Sequence, residues 1–179
     1  GVGGLNIFSR DLMLRALDCA LKTNIGITGM NAEVAPGQWE FQVCNYGVNA
    51  CDDFILFRYI LERICERDNI DINYDPKPVN GDWNGSGCHV NFSTENMREG
   101  SLNGKRGIDY IYTAIKRLEN KHKEHMEIYG ENNDKRLTGI HETAKYDEFS
   151  YGVANRGCSI RIPQSTIDNE KGYFEDRRP

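Results

Sequence analysis

Four short stretches of this chain place polar or charged side chains on one face and apolar ones on the other, with the period of two that belongs to a β-strand. In W-E-F-Q-V, Trp39, Phe41 and Val43 share one face and Glu40 and Gln42 the other. In C-H-V-N-F-S, His89, Asn91 and Ser93 oppose Val90 and Phe92. In S-I-R-I, Ser159 and Arg161 oppose Ile160 and Ile162, and in G-Y-F-E-D-R-R, Tyr173, Glu175 and Arg177 oppose Phe174. Such strands need an apolar layer behind them, and three helical stripes can supply it. Residues 9–23 carry Leu14, Leu17 and Leu21 at helical spacing after Ser9, an expected N-cap. Residues 49–68 carry Phe54, Phe57, Leu61, Ile64 and Cys65, with Asn49 as cap and Asp52 and Asp53 in the first turn. Residues 107–129 carry Ile108, Ile111, Ile115 and Leu118. Separate helices and antiparallel hairpins together predict an α+β fold.

Between these elements, the pattern predicts strands over 27–34 and 38–44 around a Pro36-Gly37 turn, and another over 70–75. It predicts a glycine-rich loop at 81–87, a surface loop at 96–106, a charged loop at 130–136, and a long active-site loop over 137–157. His122 and His125, three residues apart on the third helix, read as packing or surface residues within a solvated charge run.

Composition narrows the function. With 22 basic and 27 acidic residues well mixed and a net charge of −5, no broad nucleic-acid footprint is expected. No run of apolar residues is long enough to span a membrane. The opening G-V-G-G-L-N does not read as a signal peptide, and the whole reads as an internal piece of a longer protein. The six cysteines form no C-x-x-C pair, which fits reduced thiols in the cytoplasm.

The stretch N-A-E-V-A-P-G-Q-W-E-F deserves its own reading. If four residues, 35–38, form the loop, Glu33 faces Glu40 across the hairpin, with Cβ atoms roughly 4.5–5.5 Å apart. Two carboxylates so placed either share a divalent cation or stand in solvent, and the residues themselves leave both readings open. Arg156 and Arg161, five residues apart, suit phosphate oxygens, because guanidinium donates in a bidentate fork.

Taken together, N-A-E-V-A-P-G-Q-W-E-F, N-G-S-G-C-H-V-N-F-S, R-L-T-G-I-H-E-T, G-V-A-N-R-G-C-S-I-R-I-P and G-Y-F-E-D-R-R-P closely resemble the catalytic domain of the eukaryotic-type (type II) glutamine synthetase family. The resemblance runs in order along the chain, so residues 1–179 are expected to be part of one catalytic domain, with a curved, half-barrel-like antiparallel sheet flanked by helices. It implies that ATP phosphorylates the side-chain carboxylate of L-glutamate and that ammonium then yields glutamine. It implies Mg2+ or Mn2+, two or three ions per site, held by Glu33, Glu40, His89 and Glu175. Glu40, Asn91, Ser93 and Tyr173 would serve the nucleotide, and Trp83, Asn84 and Gly85 the glutamate. Arg136 and Arg177 would grip glutamate carboxylates. Arg156 and Arg161 would stabilise the transferring phosphate, with Arg156 also touching glutamate. Glu142 would close the site and take a proton from ammonium.

The family's E-x-E metal strand and its small N-terminal β-grasp domain would lie upstream of Gly1, and further catalytic-domain chain would follow Pro179. The resemblance therefore implies an inactive piece of a homo-oligomer, a decamer of two pentameric rings. Relatives on the same scaffold join glutamate to other amines, phosphorylate guanidines, or serve as non-catalytic lens proteins. The H-E-T segment and N-R-G-C-S-I-R favour ammonium as acceptor, and the retained ligand residues speak against the non-catalytic kind.

Overall fold

The computed structural model describes residue 4, residues 7–100 and residues 103–179. Most of G-V-G-G-L-N, and residues 101–102 of the expected 96–106 loop, lie outside the described residues. The chain divides into two compact units, Gly1–Tyr74 and Asp75–Pro179.

In the first unit, helix α1 (Arg10–Lys22) and helix α2 (Val48–Arg67) pack with the hairpin of β1 (Ile27–Ala32) and β2 (Trp39–Val43). The buried face of α1 is Leu12, Met13, Ala16 and Ala20. Leu14 and Leu21 are exposed, so the expected leucine stripe is not the packing face. The small side chains of Ala16 and Ala20 join the core that also holds Phe57, Ile60 and Leu61 of α2. Ser9 does precede α1, but in a left-handed conformation with no side-chain cap bond. Gly47, not Asn49, precedes α2. Asp53 instead accepts hydrogen bonds from the Asn45 side chain and the Gly26 amide, which hold its carboxyl below the usual carboxylate range.

The hairpin register differs from expectation. Asn31 is paired with Glu40 and Ala32 with Trp39, and the Glu33 amide donates to the Gln38 carbonyl. A loop of residues 34–37 replaces 35–38, so Glu33 does not stand opposite Glu40. A bulge at Thr28, where the pairing shifts between Ile27 and Gly29, accompanies this register. Asn31, Glu33, Glu40 and Gln42 still share one face, because positions two apart along a strand do so. The two carboxylates are diagonal neighbours, with Cβ atoms somewhat closer than roughly 7–8 Å.

The second unit holds a four-stranded sheet in the order β3 (Val90–Phe92), β6 (Phe174–Asp176), β5 (Ile160–Ile162), β4 (Tyr151–Val153). β3, β6 and β5 are antiparallel neighbours, and β4 joins the edge of β5 in parallel. Helix α4 (Gly107–Asn120) covers the apolar face, where Ile108, Ile111 and Ile115 meet Ile160, Ile162, Phe174 and Met97. The α+β class follows directly from this architecture.

Several short elements were not foreseen. Helix α3 (Glu95–Glu99) replaces part of the expected surface loop, with the Thr94 hydroxyl accepting from the Met97 amide and Met97 buried. The third helix breaks at Lys121 into α4 and α5 (His122–Ile128). A single 3-10 turn, Asn133–Lys135, follows, and helix α6 (Gln164–Asp168) bridges β5 and β6. Residues 70–75 form no strand. Among the described residues, no helix is long and apolar enough to cross a membrane.

Candidate active site

The sheet of the second unit has two unlike faces, and β6 shows why. Residues 174–178 are all buried, so both faces of this strand are covered. Backward, Phe174 enters the core, and Asp176 pairs with Arg178 at 2.7 Å and accepts from the Tyr129 hydroxyl at 2.9 Å. Burial and the nearby Asp176 push the Tyr129 phenol up to about 12. Forward, Glu175 meets Asn91 on one neighbouring strand and Arg161 on the other at paired register positions.

Glu175 is the centre of the polar face. Its carboxylate lies 2.5 Å from Arg161 Nε, 3.2 Å from Arg177 Nη1 and 3.4 Å from His89 Nδ1. Burial opposes its ionisation. Contact with His89 and the charges of Arg177, His89 and Arg161 outweigh burial and leave the carboxyl below its ordinary range. His89 sits one residue before β3, and Asn91 one residue into it.

Arg177 continues the cluster. Its Nε donates to the Arg156 carbonyl and its Nη2 to the Glu142 carbonyl, both at 3.1 Å. Glu142 accepts from Arg156 Nη1 at 3.2 Å. His89, Asn91, Glu142, Arg156, Arg161, Glu175 and Arg177 therefore form one connected surface. The segment carrying Glu142 is ordered by an isolated bridge between Thr138 and Lys145 and by the Thr143 hydroxyl, which donates to the Ile140 carbonyl.

Arg136 is buried at 5% exposure. Its Nε donates to Asn133 Oδ1, and its Nη2 reaches the carbonyls of Arg177, Arg178 and Pro179. Burial and the charge of Arg177 push its guanidinium down to about 10. The glycine-rich loop lies against it. A Cβ on Gly85 would fall 2.5 Å from both Arg136 Cγ and the Pro76 carbonyl oxygen, and one on Gly87 would fall 2.6 Å from Arg136 Nη1 and 2.8 Å from His89 Nε2. At Gly85 only glycine permits this approach, because the Pro76 carbonyl is main chain. Trp83 is partly exposed, and its carbonyl accepts from Lys77 Nζ.

The remaining expected residues sit less centrally. Ser93 accepts from Arg98 Nη1 at 2.7 Å. Tyr173 is 39% exposed, and its main chain is tied to the Thr166 hydroxyl. Glu33 and Glu40 belong to the first unit, where Glu33 accepts from Asn31 Nδ2 and Glu40 from Gln42 Nε2. Asn133, Asp176 and Arg178 support the site from behind and were not singled out by sequence. For the last two the signal was present, since β6 alternation places them opposite Glu175. His122 and His125 pack as expected, their Nδ1 atoms each 3.3 Å from Arg178.

Among the described residues, no group of three or more His, Cys, Asp or Glu side chains gathers as a metal cage. The His89–Glu175 pair nevertheless fits two positions of a divalent-cation site, offering an imidazole nitrogen and a carboxylate oxygen at close range.

A buried carboxylate beside an imidazole and ringed by arginines, on the polar face of a small sheet, is the class of site that handles phosphorylated or carboxylated substrates. Comparison with known proteins makes this specific. Residues 8–179 match the family model described as "Glutamine synthetase, catalytic domain". The chain is 52% identical to a glutamine synthetase of Neurospora crassa, over all of this chain and 48% of that protein. It is 48% identical to a glutamine synthetase cytosolic isozyme of Pinus sylvestris, over all of this chain and 49% of that one. It is 51% identical to a chloroplastic/mitochondrial glutamine synthetase of Arabidopsis thaliana, over all of this chain and 41% of that one. The chain belongs to the glutamine synthetase family, and it spans about half the length of the curated relatives it matches.

Proposed function

We propose that the protein carrying this chain is a glutamate–ammonia ligase that couples ATP cleavage to glutamine formation. The observation that carries this reading is the convergence of Arg161, Arg177 and His89 on Glu175 within a glutamine synthetase catalytic domain. Phosphoryl transfer depends mainly on positioning and on neutralising charge. Arg161 and Arg156 are the groups that meet the transferring phosphoryl oxygens. Arg177 and Arg156 hold the glutamate carboxylates, and Arg136 directs Nη1 to the side of the glycine-rich loop, where Trp83, Asn84 and Gly85 seat the same substrate. Asn91, Ser93 and Tyr173 contact the nucleotide. Glu142, already paired with Arg156, accepts the proton that ammonium gives up.

His89 and Glu175 are the residues of the second unit that would hold Mg2+ or Mn2+, and the family resemblance alone supports Glu33 and Glu40 as further ligands. Such an ion neutralises phosphate charge and polarises the phosphoryl group. Mg2+ favours one or two carboxylates plus substrate phosphates over an all-protein cage, which suits so small a donor set. We place the protein in the cytoplasm, in line with the cytosolic Pinus relative, and infer a homo-oligomer from the family resemblance alone.

The test is an assay of the complete reading frame with L-glutamate, ATP, ammonium and either metal. Glutamine formed with equal phosphate is the expected result. Turnover with ethanolamine or polyamines in place of ammonium would instead identify another γ-glutamyl-amine ligase. No turnover together with no Mn2+ binding would overturn the enzymatic reading. The 179-residue chain by itself is expected to make little or no glutamine.

A further inference from the structure

Two loops of the second unit carry residues proposed for the substrate, and one side-chain contact joins them. His141 Nε2 lies 2.8 Å from Asp82 Oδ1. That nitrogen is buried and makes no well-aligned hydrogen bond, while the Asp82 side chain is 92% exposed. Asp82 immediately precedes Trp83, Asn84 and Gly85, and His141 immediately precedes Glu142. We propose that Asp82 and His141 are positioning residues, a latch that holds the Glu142 loop against the glycine-rich loop and so favours ammonia over water at the activated substrate. This rests on the ligase reading given above.

The backbone explains why the loop needs holding. His141 and Glu142 have φ of +54° and +60°, following Gly139 at +82°. Two consecutive non-glycine residues in the left-handed region persist only where their surroundings fix them. Within the loop the Thr143 hydroxyl supplies part of that restraint. From the sheet, Arg177 Nη2 holds the Glu142 carbonyl and Arg156 its carboxylate. The Asp82–His141 contact ties the same turn to the segment expected to seat glutamate.

The chemistry shows what the latch would control. A glutamate γ-carboxylate oxygen attacks the terminal phosphorus of ATP, the bond to the bridging oxygen breaks, and ADP leaves with that electron pair. Ammonium loses its proton to Glu142, and the nitrogen lone pair attacks the γ-carbonyl carbon. The carbon–oxygen bond to phosphate breaks, and phosphate leaves with its electrons and takes up the second proton that the nitrogen loses as it becomes the amide. Water attacking the same carbon returns glutamate and phosphate, consuming ATP without product. A loop that drifts open admits water and misplaces Glu142.

The experiment uses the full-length protein with D82A, H141A, the double variant and H141Q, whose amide can replace the ring nitrogen. Phosphate released per glutamine and the KM for ammonium are expected to rise about fivefold in each alanine variant, the upper end for a single polar contact near the surface. KM for ATP should stay constant, the double variant should be no worse than either single, and H141Q should recover part of the loss. Hydrogen exchange at amides 139–143 should quicken in D82A. Unchanged exchange in both alanine variants overturns the latch. Faster exchange with an unchanged phosphate-to-glutamine ratio overturns its control over water. If the wild-type protein makes no glutamine, the ligase reading fails by itself, and exchange alone decides whether the latch exists.

Discussion

Arg161 Nε approaches the Glu175 carboxylate to 2.5 Å from the strand next door, at a directly paired register position. Arg177 reaches the same carboxylate from two residues along its own strand. One buried acid thus offsets two guanidinium groups, and removing it leaves both uncompensated. Glu175→Ala should lower unfolding free energy by about 3 kcal/mol, the lower end of the cost of breaking a buried pair. Denaturant titration of the chain measures this. A change under about 0.5 kcal/mol would show that the cluster is solvated and not a buried node.

Gly85 is held where a side chain has no room. In Gly85→Ala the new Cβ meets Arg136 Cγ, which can shift, and the Pro76 carbonyl, which is main chain and can shift only with its segment. The expected loss is about 1–3 kcal/mol, as for other overpacked sites. In the complete protein the KM for glutamate should rise while that for ATP holds, because Arg136, the side chain the new Cβ meets, and Gly85 itself are residues proposed for glutamate. Steady-state kinetics with each substrate varied in turn would separate the two.

His122 makes stability pH-dependent. Burial pushes its imidazole down, its bond to the Tyr146 carbonyl pulls up, and the charge of Arg178 pushes down again, leaving it below its usual 6.5. Donation to Tyr146 from Nε2 and acceptance from Arg178 at Nδ1 together require the neutral ring. The other groups facing it are Asp176, which raises its pKa, and His125, which lowers it. Below about pH 6.5 the unfolded chain takes up a proton that the folded chain refuses, so stability falls with falling pH. Urea midpoints measured between pH 7.5 and 5 should decline, and less steeply in His122→Gln. Equal slopes in the two proteins would remove His122 as the cause.

The packing face of α1 can be tested by two substitutions of opposite kind. Leu14→Ala removes an exposed side chain and should change stability by less than about 0.5 kcal/mol. Ala16→Leu inserts bulk where exposure is 0% and should cost about 1–3 kcal/mol. The reverse ranking in thermal or urea unfolding would restore the leucine stripe as the buried one.

These cases mark where the sequence is readable. Alternation along C-H-V-N-F-S, S-I-R-I and G-Y-F-E-D-R-R is a local property of strands, so the polar row Asn91–Glu175–Arg161 could be anticipated residue by residue. Which residue faces which is not local. The hairpin register depends on the turn and on the bulge at Thr28, and a one-residue difference at each strand end put Asn31 opposite Glu40. Helices α3 and α6 and strand β4 run three to five residues, too short for any periodicity to repeat. In α1 the row Leu14, Leu17 and Leu21 was conspicuous, but Leu12, Met13, Ala16 and Ala20 form the contact, because burial rewards close approach as well as bulk. The Asp82–His141 contact joins residues 59 positions apart (141 − 82) and left no pattern in the chain to find.

Strand β6 and the two residues after it offer no position that faces water: Phe174, Glu175, Asp176, Arg177 and Arg178 are all buried. In a saturation library these five codons should accept the fewest replacements in the second unit. Deleting any one of them would be worse than substituting it, since the period of two would carry every later side chain to the wrong side. Evolution of a new substrate preference on this scaffold would then have to work through the loops around β6 and leave its reading frame alone.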